Sequence, residues 1–146
     1  MNNGLNTRAK LASFGFCQEH SCCICENSDE TQDHLFFQCD YSQRVLQAVE
    51  KWCGFRVDVT MTVLAIPGSR MKGLKQLVHC QLWVSCYYHV WLERNTARLQ
   101  AVVTSPAKLA ERIITDAKTR IMSKVCKTKF GQDSVWLRKW GCLVIR

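Results

Sequence analysis

The stretch of sequence that decides the fold is Cys22–Cys39, which reads CCICENSDETQDHLFFQC. Its cysteines and histidine follow the spacing C-x2-C-x8-H-x4-C, with candidate metal ligands at Cys22, Cys25, His34 and Cys39. A C-x2-C turn can direct two thiolates at one ion, and the histidine and last cysteine can supply the other two corners of a tetrahedron. Thiolate and imidazole donors suit Zn²⁺ better than hard cations, which prefer oxygen. The pattern predicts one structural Zn²⁺, held by four protein ligands and without a bound water to activate.

Other donors close to this stretch leave alternatives open. Cys23 could replace Cys22, and Cys17 and His20 are also within reach along the chain. The cysteines could also be ordinary packing residues, or the C-x2-C pair could be a redox motif of the thioredoxin kind. A redox motif would need a βαβ context that this sequence lacks. The added histidine and fourth ligand therefore favour metal.

Composition indicates a soluble globular protein. The chain has 146 residues, of which 47% are hydrophobic and 22% charged, enough for one domain with its own core. Its first residues, MNNGLNTRAKL, contain no apolar segment typical of a signal peptide. The most apolar run, residues 77–92, is too short and too polar for a membrane span. We therefore expect an intracellular protein, nuclear or cytoplasmic, in which ten reduced cysteines indicate metal rather than disulfides.

The net charge of +8 is unevenly distributed along the chain. Residues 1–66 carry five basic and eight acidic side chains, whereas residues 67–146 carry fifteen basic and four acidic ones. The second part therefore has a charge of +11 and would supply any attraction to a polyanion. No Lys or Arg lies between Lys10 and Arg44, so the metal-binding stretch itself is acidic.

Apolar periodicity predicts a mainly α fold in which a small CCHC zinc knuckle packs on a helical bundle. We expect a short helix over residues 5–14 and a second helix from Tyr41 to a stop at Gly54. A long helix should run from about residue 70 to about residue 99. It is apolar on nearly every face between residues 77 and 92, which predicts burial inside the bundle.

The remaining segments complete the expected organisation. Ser105-Pro106 is typical of a helix start, because an N-cap residue precedes a proline at the first helical position. Residues 55–68 are compatible with either a strand or a helical turn before a break at Pro67-Gly68. We expect one compact domain of three segments, namely a helical segment over residues 1–15, the knuckle and its following helix over residues 16–54, and a helical, basic region over residues 55–146.

Several motifs together resemble a known family. The run TRAKLASFG at residues 7–15 precedes the C-x2-C pair, and ETQDHLFFQCDYS follows at residues 30–42. A downstream block, YHVWLERN at residues 88–95, contains the pattern W-x-E-R-N. The combination is similar to the zinc-binding domain that follows the reverse transcriptase of plant LINE-type (non-LTR) retrotransposons. The resemblance covers roughly residues 5–100, and two positions depart from it, Asp40 in place of proline and Leu46 in place of tryptophan.

The resemblance implies a non-catalytic domain. Its four ligands fall on the same cysteines and histidine that the spacing selects, and it implies association with element RNA or its DNA target. The sequence lacks both a paired-aspartate polymerase motif and a carboxylate-rich nuclease core, and two-metal chemistry requires clustered carboxylates. A reverse transcriptase domain would therefore come from another chain.

Two functions follow from these features as alternatives. The first is binding of RNA or DNA through the basic part of the chain, where counterion release would favour association. Its candidate phosphate contacts are Lys108, Arg112, Lys118, Arg120, Lys124, Lys127 and Lys129. The second is a structural or protein-interaction module, which could be a retained fragment without a selected activity.

Overall fold

The computed structural model describes residues 5–57 and 74–125. These residues form four α-helices, α1 (Arg8–Ser13), α2 (Asp40–Cys53), α3 (Leu74–Gln100) and α4 (Pro106–Val125), together with a π-helical turn at His34–Gln38. Within the described ranges there is no β-strand, and the only sheet-like pairing there is an isolated bridge between Ser21 and Asp29. The predicted mainly α fold is confirmed. Residues 58–68, with Pro67-Gly68, lie outside the described residues, and the three-segment division stays a prediction.

Local chemistry sets the ends of the first two helices. The Thr7 hydroxyl accepts a hydrogen bond from the Lys10 amide, so α1 begins after this cap rather than at residue 5. In α2, Val45, Val49 and Cys53 share one buried face. Gly54 adopts a left-handed conformation (φ 77°) and donates its amide to the Glu50 carbonyl, which ends the helix where predicted.

The long helix, α3, and the last helix, α4, pack against each other in antiparallel orientation. Ser85 of α3 donates its hydroxyl to Asp116 of α4, and Glu93, two turns further along α3, accepts the amide of Thr104 just before α4. The last helix, α4, also packs against α2 and runs parallel to it: the Tyr41 hydroxyl at the start of α2 donates to the Thr104 carbonyl just before α4, and Lys118 of α4 lies over the Trp52 ring near the end of α2. The common core consists of apolar residues from all three helices, including Val45, Val49, Leu82, Cys86, Val90, Ile113 and Ala117.

The prediction that α3 is buried on nearly every face is wrong for one side of the helix. Val84, Tyr88 and Leu92 are 48%, 51% and 46% exposed, whereas Leu82 is fully buried. In the described structure α4 and the π-helical turn pack on α3, and side chains of α2 join the same core. They cover the side that carries Leu82 and leave the opposite apolar positions in solvent.

Candidate metal centre

The C-x2-C pair lies in a tight turn that begins at Cys22. The Cys22 amide donates a hydrogen bond to the Ser28 carbonyl, and the Glu26 amide donates one to the Cys22 carbonyl. Glu26 has a left-handed backbone (φ 58°), which reverses the chain after Cys25. The amides of Ile24 and Cys25 both donate to the Cys22 sulfur, which by itself lowers the pKa of Cys22, although the hydrogen bond to Cys39 and burial outweigh this effect.

The second pair of donors is brought together by the π-helical turn. The Cys39 amide donates to the His34 carbonyl across 2.7 Å, closing a turn one residue wider than that of an α-helix. Cys39 stands at the N-terminus of α2, where its sulfur accepts the amides of Tyr41 and Ser42. The positive end of the helix dipole therefore also favours a thiolate at Cys39.

The four donor atoms converge on one point. The sulfurs of Cys22, Cys25 and Cys39 and a ring nitrogen of His34 all lie within 4.8 Å of one another, and His34 Nε2 is 3.2 Å from the Cys25 sulfur. A tetrahedron with Zn–S bonds of about 2.3 Å has edges of about 3.7 Å, so the cluster has the size of a zinc shell. Cys22 and Cys39 are fully buried, His34 is nearly so, and Cys25 is half-buried. This donor set, closed by protein atoms, fits a structural zinc ion.

The two buried thiols of the cluster are electrostatically linked. A hydrogen bond from the Cys22 thiol, together with the amides of Ser42 and Tyr41, lowers the pKa of Cys39 to about 5 against the opposing effect of burial. The same hydrogen bond and burial raise the pKa of Cys22 well above its ordinary value. Because Zn²⁺ binds cysteine as thiolate, an ion held here would replace the hydrogen bond between the two sulfurs with two Zn–S bonds.

The alternative ligands do not join the cluster. The Cys23 thiol contacts the Glu30 carboxylate at 3.2 Å and the Arg94 carbonyl at 3.5 Å, and burial raises the pKa of Cys23 to about 11. The Cys17 thiol is directed to backbone carbonyls, and His20 is exposed. The structure therefore brings together the four residues that spacing and resemblance selected.

Sequence reasoning missed a buried ion pair that joins the knuckle to α3. Glu30, fully buried, lies 2.5 Å from the Arg94 guanidinium, which is 1% exposed. Burial alone would raise the pKa of Glu30, but hydrogen bonds from Arg94, the Arg8 amide and Cys23 hold it below its ordinary value. Arg94 also donates to the Asn6 carbonyl and lies over the Trp91 ring. Both partners belong to motifs that carry the family resemblance, but nothing in the sequence indicated that they pair.

Aromatic stacking provides a second connection between the knuckle and α3. The ring of Phe36 stacks on Tyr87 with centroids 3.8 Å apart, and Phe37 stacks on Trp83 at 5.8 Å. Both phenylalanines come from the π-helical turn, which also carries the ligand His34. These rings pack the metal-binding stretch against the helices.

The predicted phosphate-binding residues differ in exposure and in their contacts within the chain. Lys108 and Arg112 are exposed on α4, and Lys124 is exposed near its end. Lys118 lies over the Trp52 ring at 5.1 Å, and Arg120 binds Asp116 at 2.9 Å. Lys127 and Lys129 lie outside the described residues.

Comparison with known families agrees with the geometry of the cluster. A family model described as zinc-binding in reverse transcriptase matches residues 1–45, a segment that contains all four donors. Comparison with curated proteins and with solved structures gave no match. The chain is thus similar to a reverse transcriptase zinc-binding domain over the knuckle and the start of α2, and that family is a zinc-binding domain rather than the catalytic part of the enzyme. None of the helices in the described ranges is long and apolar enough to cross a membrane.

Proposed function

We propose that this chain is a non-catalytic accessory domain derived from a LINE-type retrotransposon reverse transcriptase of the plant kind, and that it binds a protein partner in the nucleus or cytoplasm. The foremost partner is a reverse transcriptase domain supplied by another chain. The observation that carries the proposal is the closed, largely buried three-cysteine, one-histidine shell, which is joined to α3 by the Glu30–Arg94 pair.

The shell supports a structural role for the metal. Four protein donors leave no coordination position for a water or a substrate, so a zinc ion held there would fold the knuckle without activating a nucleophile. Among the described residues, this cluster is the only group of three or more metal-ligating side chains close enough to share an ion. The buried carboxylate of Glu30 is neutralised by Arg94 and has no free position for a proton-transfer role.

The surface supports a protein partner. Large apolar side chains are exposed at several places: on α3, just after α3, and just after α1. Exposed apolar side chains that lie close together are typical of binding sites, and those on α3 follow one side of the helix. The exposed apolar residues at all these places are Phe14, Phe16, Val84, Tyr88, Leu92, Leu99, Val102 and Val103. By contrast, Phe36 is buried against Tyr87, and Phe37, which is 38% exposed, already stacks on Trp83, so the knuckle leaves only part of one ring for stacking on bases.

Nucleic-acid binding is the second candidate, and charge is the observation that favours it. Residues 67–146 carry +11, and Lys108 and Arg112 are exposed on α4. Against it, Lys118 and Arg120 already bind groups of this chain. A zinc ion with three thiolates and one neutral imidazole would add a charge of −1 to the knuckle, which is already acidic.

Binding measured at several salt concentrations separates the two candidates. The zinc-loaded chain would be titrated with a purified LINE-type reverse transcriptase domain and, separately, with labelled single-stranded RNA. We expect binding to the polymerase domain that persists in high salt, because apolar burial is insensitive to screening. Strong RNA binding with a steep negative salt dependence, and no binding to the polymerase domain, would replace the first candidate by the second.

A further inference from the structure

We propose that the groove between α3 and α4 is a docking site for an amphipathic helix with acidic residues beside its apolar face. This inference rests on the proposed protein-binding function and names the surface and the chemistry of the partner. The surface consists of an apolar stripe on α3, formed by Val84, Tyr88 and Leu92, and a basic row on α4, formed by Lys108, Arg112 and Arg120.

The apolar stripe follows the helical repeat. Its three residues are four apart, so they lie above one another on one side of α3, and Leu99, a further seven residues on and 80% exposed, continues the same side. From Val84 to Leu99 the stripe extends over about 22 Å, the length of four helical turns. A partner helix of about fifteen residues could cover it.

The face of α4 that carries the basic row meets α3 beside this stripe, at Asp116. Ser85 and His89, the residues after Val84 and Tyr88, both face Asp116 of α4, with Ser85 Oγ at 2.8 Å and His89 Nε2 at 3.6 Å from its carboxylate. Asp116 belongs to a row in which every fourth residue of α4 lies on the same side, the others being Lys108, Arg112 and Arg120. Arg120 binds the carboxylate of Asp116, and Lys108 and Arg112 outnumber the exposed Glu111 between them, so this face of α4 is positive on balance.

Charge decides between possible occupants. No Asp, Glu, Lys or Arg occurs from residue 77 to residue 92, so the stripe from Val84 to Leu92 is uncharged, and the exposed charged residue of α3 next to Leu99, Arg98, is basic like the row on α4. A second copy of the chain would bring its own basic row and a net charge of +8 to the same groove. The segment after α4 carries five basic residues and only one acidic residue, Asp133, and is no better matched. A helix with Glu or Asp beside its apolar face complements both parts of the surface.

The test uses the full chain with bound zinc and three labelled synthetic peptides of eighteen residues. The first has Leu on one helical face with Glu on the flanks, the second has the same Leu face with Lys on the flanks, and the third is a scrambled version of the first. Fluorescence anisotropy would give each dissociation constant. We expect the acidic peptide to bind about tenfold or more tightly than the other two at low salt.

Variants locate the binding to the groove. Tyr88→Ser and Leu92→Ser should each weaken binding of the acidic peptide by about tenfold, and Arg112→Glu by at least about threefold. Matched controls are Phe16→Ser, an exposed aromatic residue of the knuckle, and Arg44→Glu, an exposed arginine of α2, and both should bind like the unchanged chain. Because all five positions are exposed, circular dichroism and zinc content should stay unchanged.

Four results would overturn the inference. The first two are equal affinity for the acidic and basic peptides and equal loss in the groove variants and their controls. The third is a dimer in analytical ultracentrifugation that Tyr88→Ser dissociates, which would assign the stripe to a second copy. The fourth is unchanged binding of the polymerase domain by the Tyr88→Ser variant, which would contradict this site but not the proposed function. Binding of the acidic peptide without binding of the polymerase domain would support this docking site and contradict the proposed function.

Discussion

Arg94, in the last two turns of α3, donates two hydrogen bonds to the carboxylate of Glu30 in the knuckle, and both side chains are almost completely buried. Glu30 also accepts the amide of Arg8 at the start of α1, and its second oxygen contacts Cys23. One carboxylate thus ties α1, the knuckle and α3 together. The metal organises the knuckle, and this ion pair fixes the position of the knuckle on the helices.

Removing one partner of the pair should destabilise the protein strongly. Arg94→Ala leaves a buried carboxylate without its counter-charge, and we expect a loss of about 3–5 kcal/mol in the free energy of unfolding. Urea denaturation in the presence of zinc would measure it. Arg98→Ala, one turn further on an exposed position, should change the free energy of unfolding by less than about 0.5 kcal/mol. Similar effects of both substitutions would mean that the pair does not hold the knuckle.

Replacing both partners separates the charge from the packing. The double variant Glu30→Gln with Arg94→Met removes both charges while retaining most of the buried volume. We expect it to recover a substantial part of the stability that Arg94→Ala loses, as measured by the same denaturation. A double variant as unstable as Arg94→Ala would show that the hydrogen bonds, rather than the unpaired charge, dominate.

Loss of a metal donor should abolish both zinc binding and folding of the knuckle. His34→Ala and Cys25→Ser each remove one corner of the shell, so elemental analysis should fall from about one zinc per chain to well below it, with loss of folded signal in circular dichroism. Cys17→Ser is the matched control, since that thiol faces backbone carbonyls instead of the cluster. Full zinc retention in His34→Ala would require a different ligand set.

A side chain at Gly54 should weaken the end of α2. The glycine adopts φ 77°, a conformation that costs an L-residue energy, although a Cβ there would meet no atom within 4 Å. Gly54→Ala should therefore lower the free energy of unfolding by about 1 kcal/mol through backbone conformation alone. Gly54→Asn should cost less, because asparagine tolerates the left-handed region better. Equal stability of the alanine variant and the unchanged chain would contradict the assigned helix end.

If the chain binds RNA, the basic residues of α4 should contribute unequally. Lys108→Ala and Arg112→Ala should each weaken binding across all sequences and reduce the slope of log affinity against log salt by about 1. Lys118→Ala should instead act mainly on stability, because Lys118 packs over Trp52. Filter binding in several salt concentrations, with denaturation in parallel, distinguishes the two effects. Equal slope changes for all three variants would indicate that Lys118 leaves Trp52 to reach the phosphates.

The features that sequence could predict are those that local chemistry encodes. The end of α2 at Gly54 and the start of α4 after Ser105 follow from the conformational preferences of one or two residues. The donor set follows from spacing within a short stretch, because a C-x2-C turn needs no distant partner.

Features that depend on distant residues were not predictable. Glu30 and Arg94 are 64 positions apart, and an acidic residue in a charged loop is ordinarily solvated. The π-helical turn between His34 and Cys39 was missed because a single five-residue turn is too short to produce an apolar periodicity. The exposed stripe on α3 was missed for a different reason: apolar sequence alone cannot show which side of a helix its neighbours leave uncovered.

The most direct measurement of the central claim is X-ray absorption spectroscopy at the zinc edge on the purified, zinc-loaded chain. We expect a four-coordinate zinc shell with three sulfurs at about 2.3 Å and one nitrogen at about 2.0 Å, and the same shell in the Cys23→Ser variant. A shell that contains a water oxygen would contradict it, because the site would then be open to chemistry. A four-sulfur shell would also contradict it, because Cys23 or Cys17 would then have displaced His34.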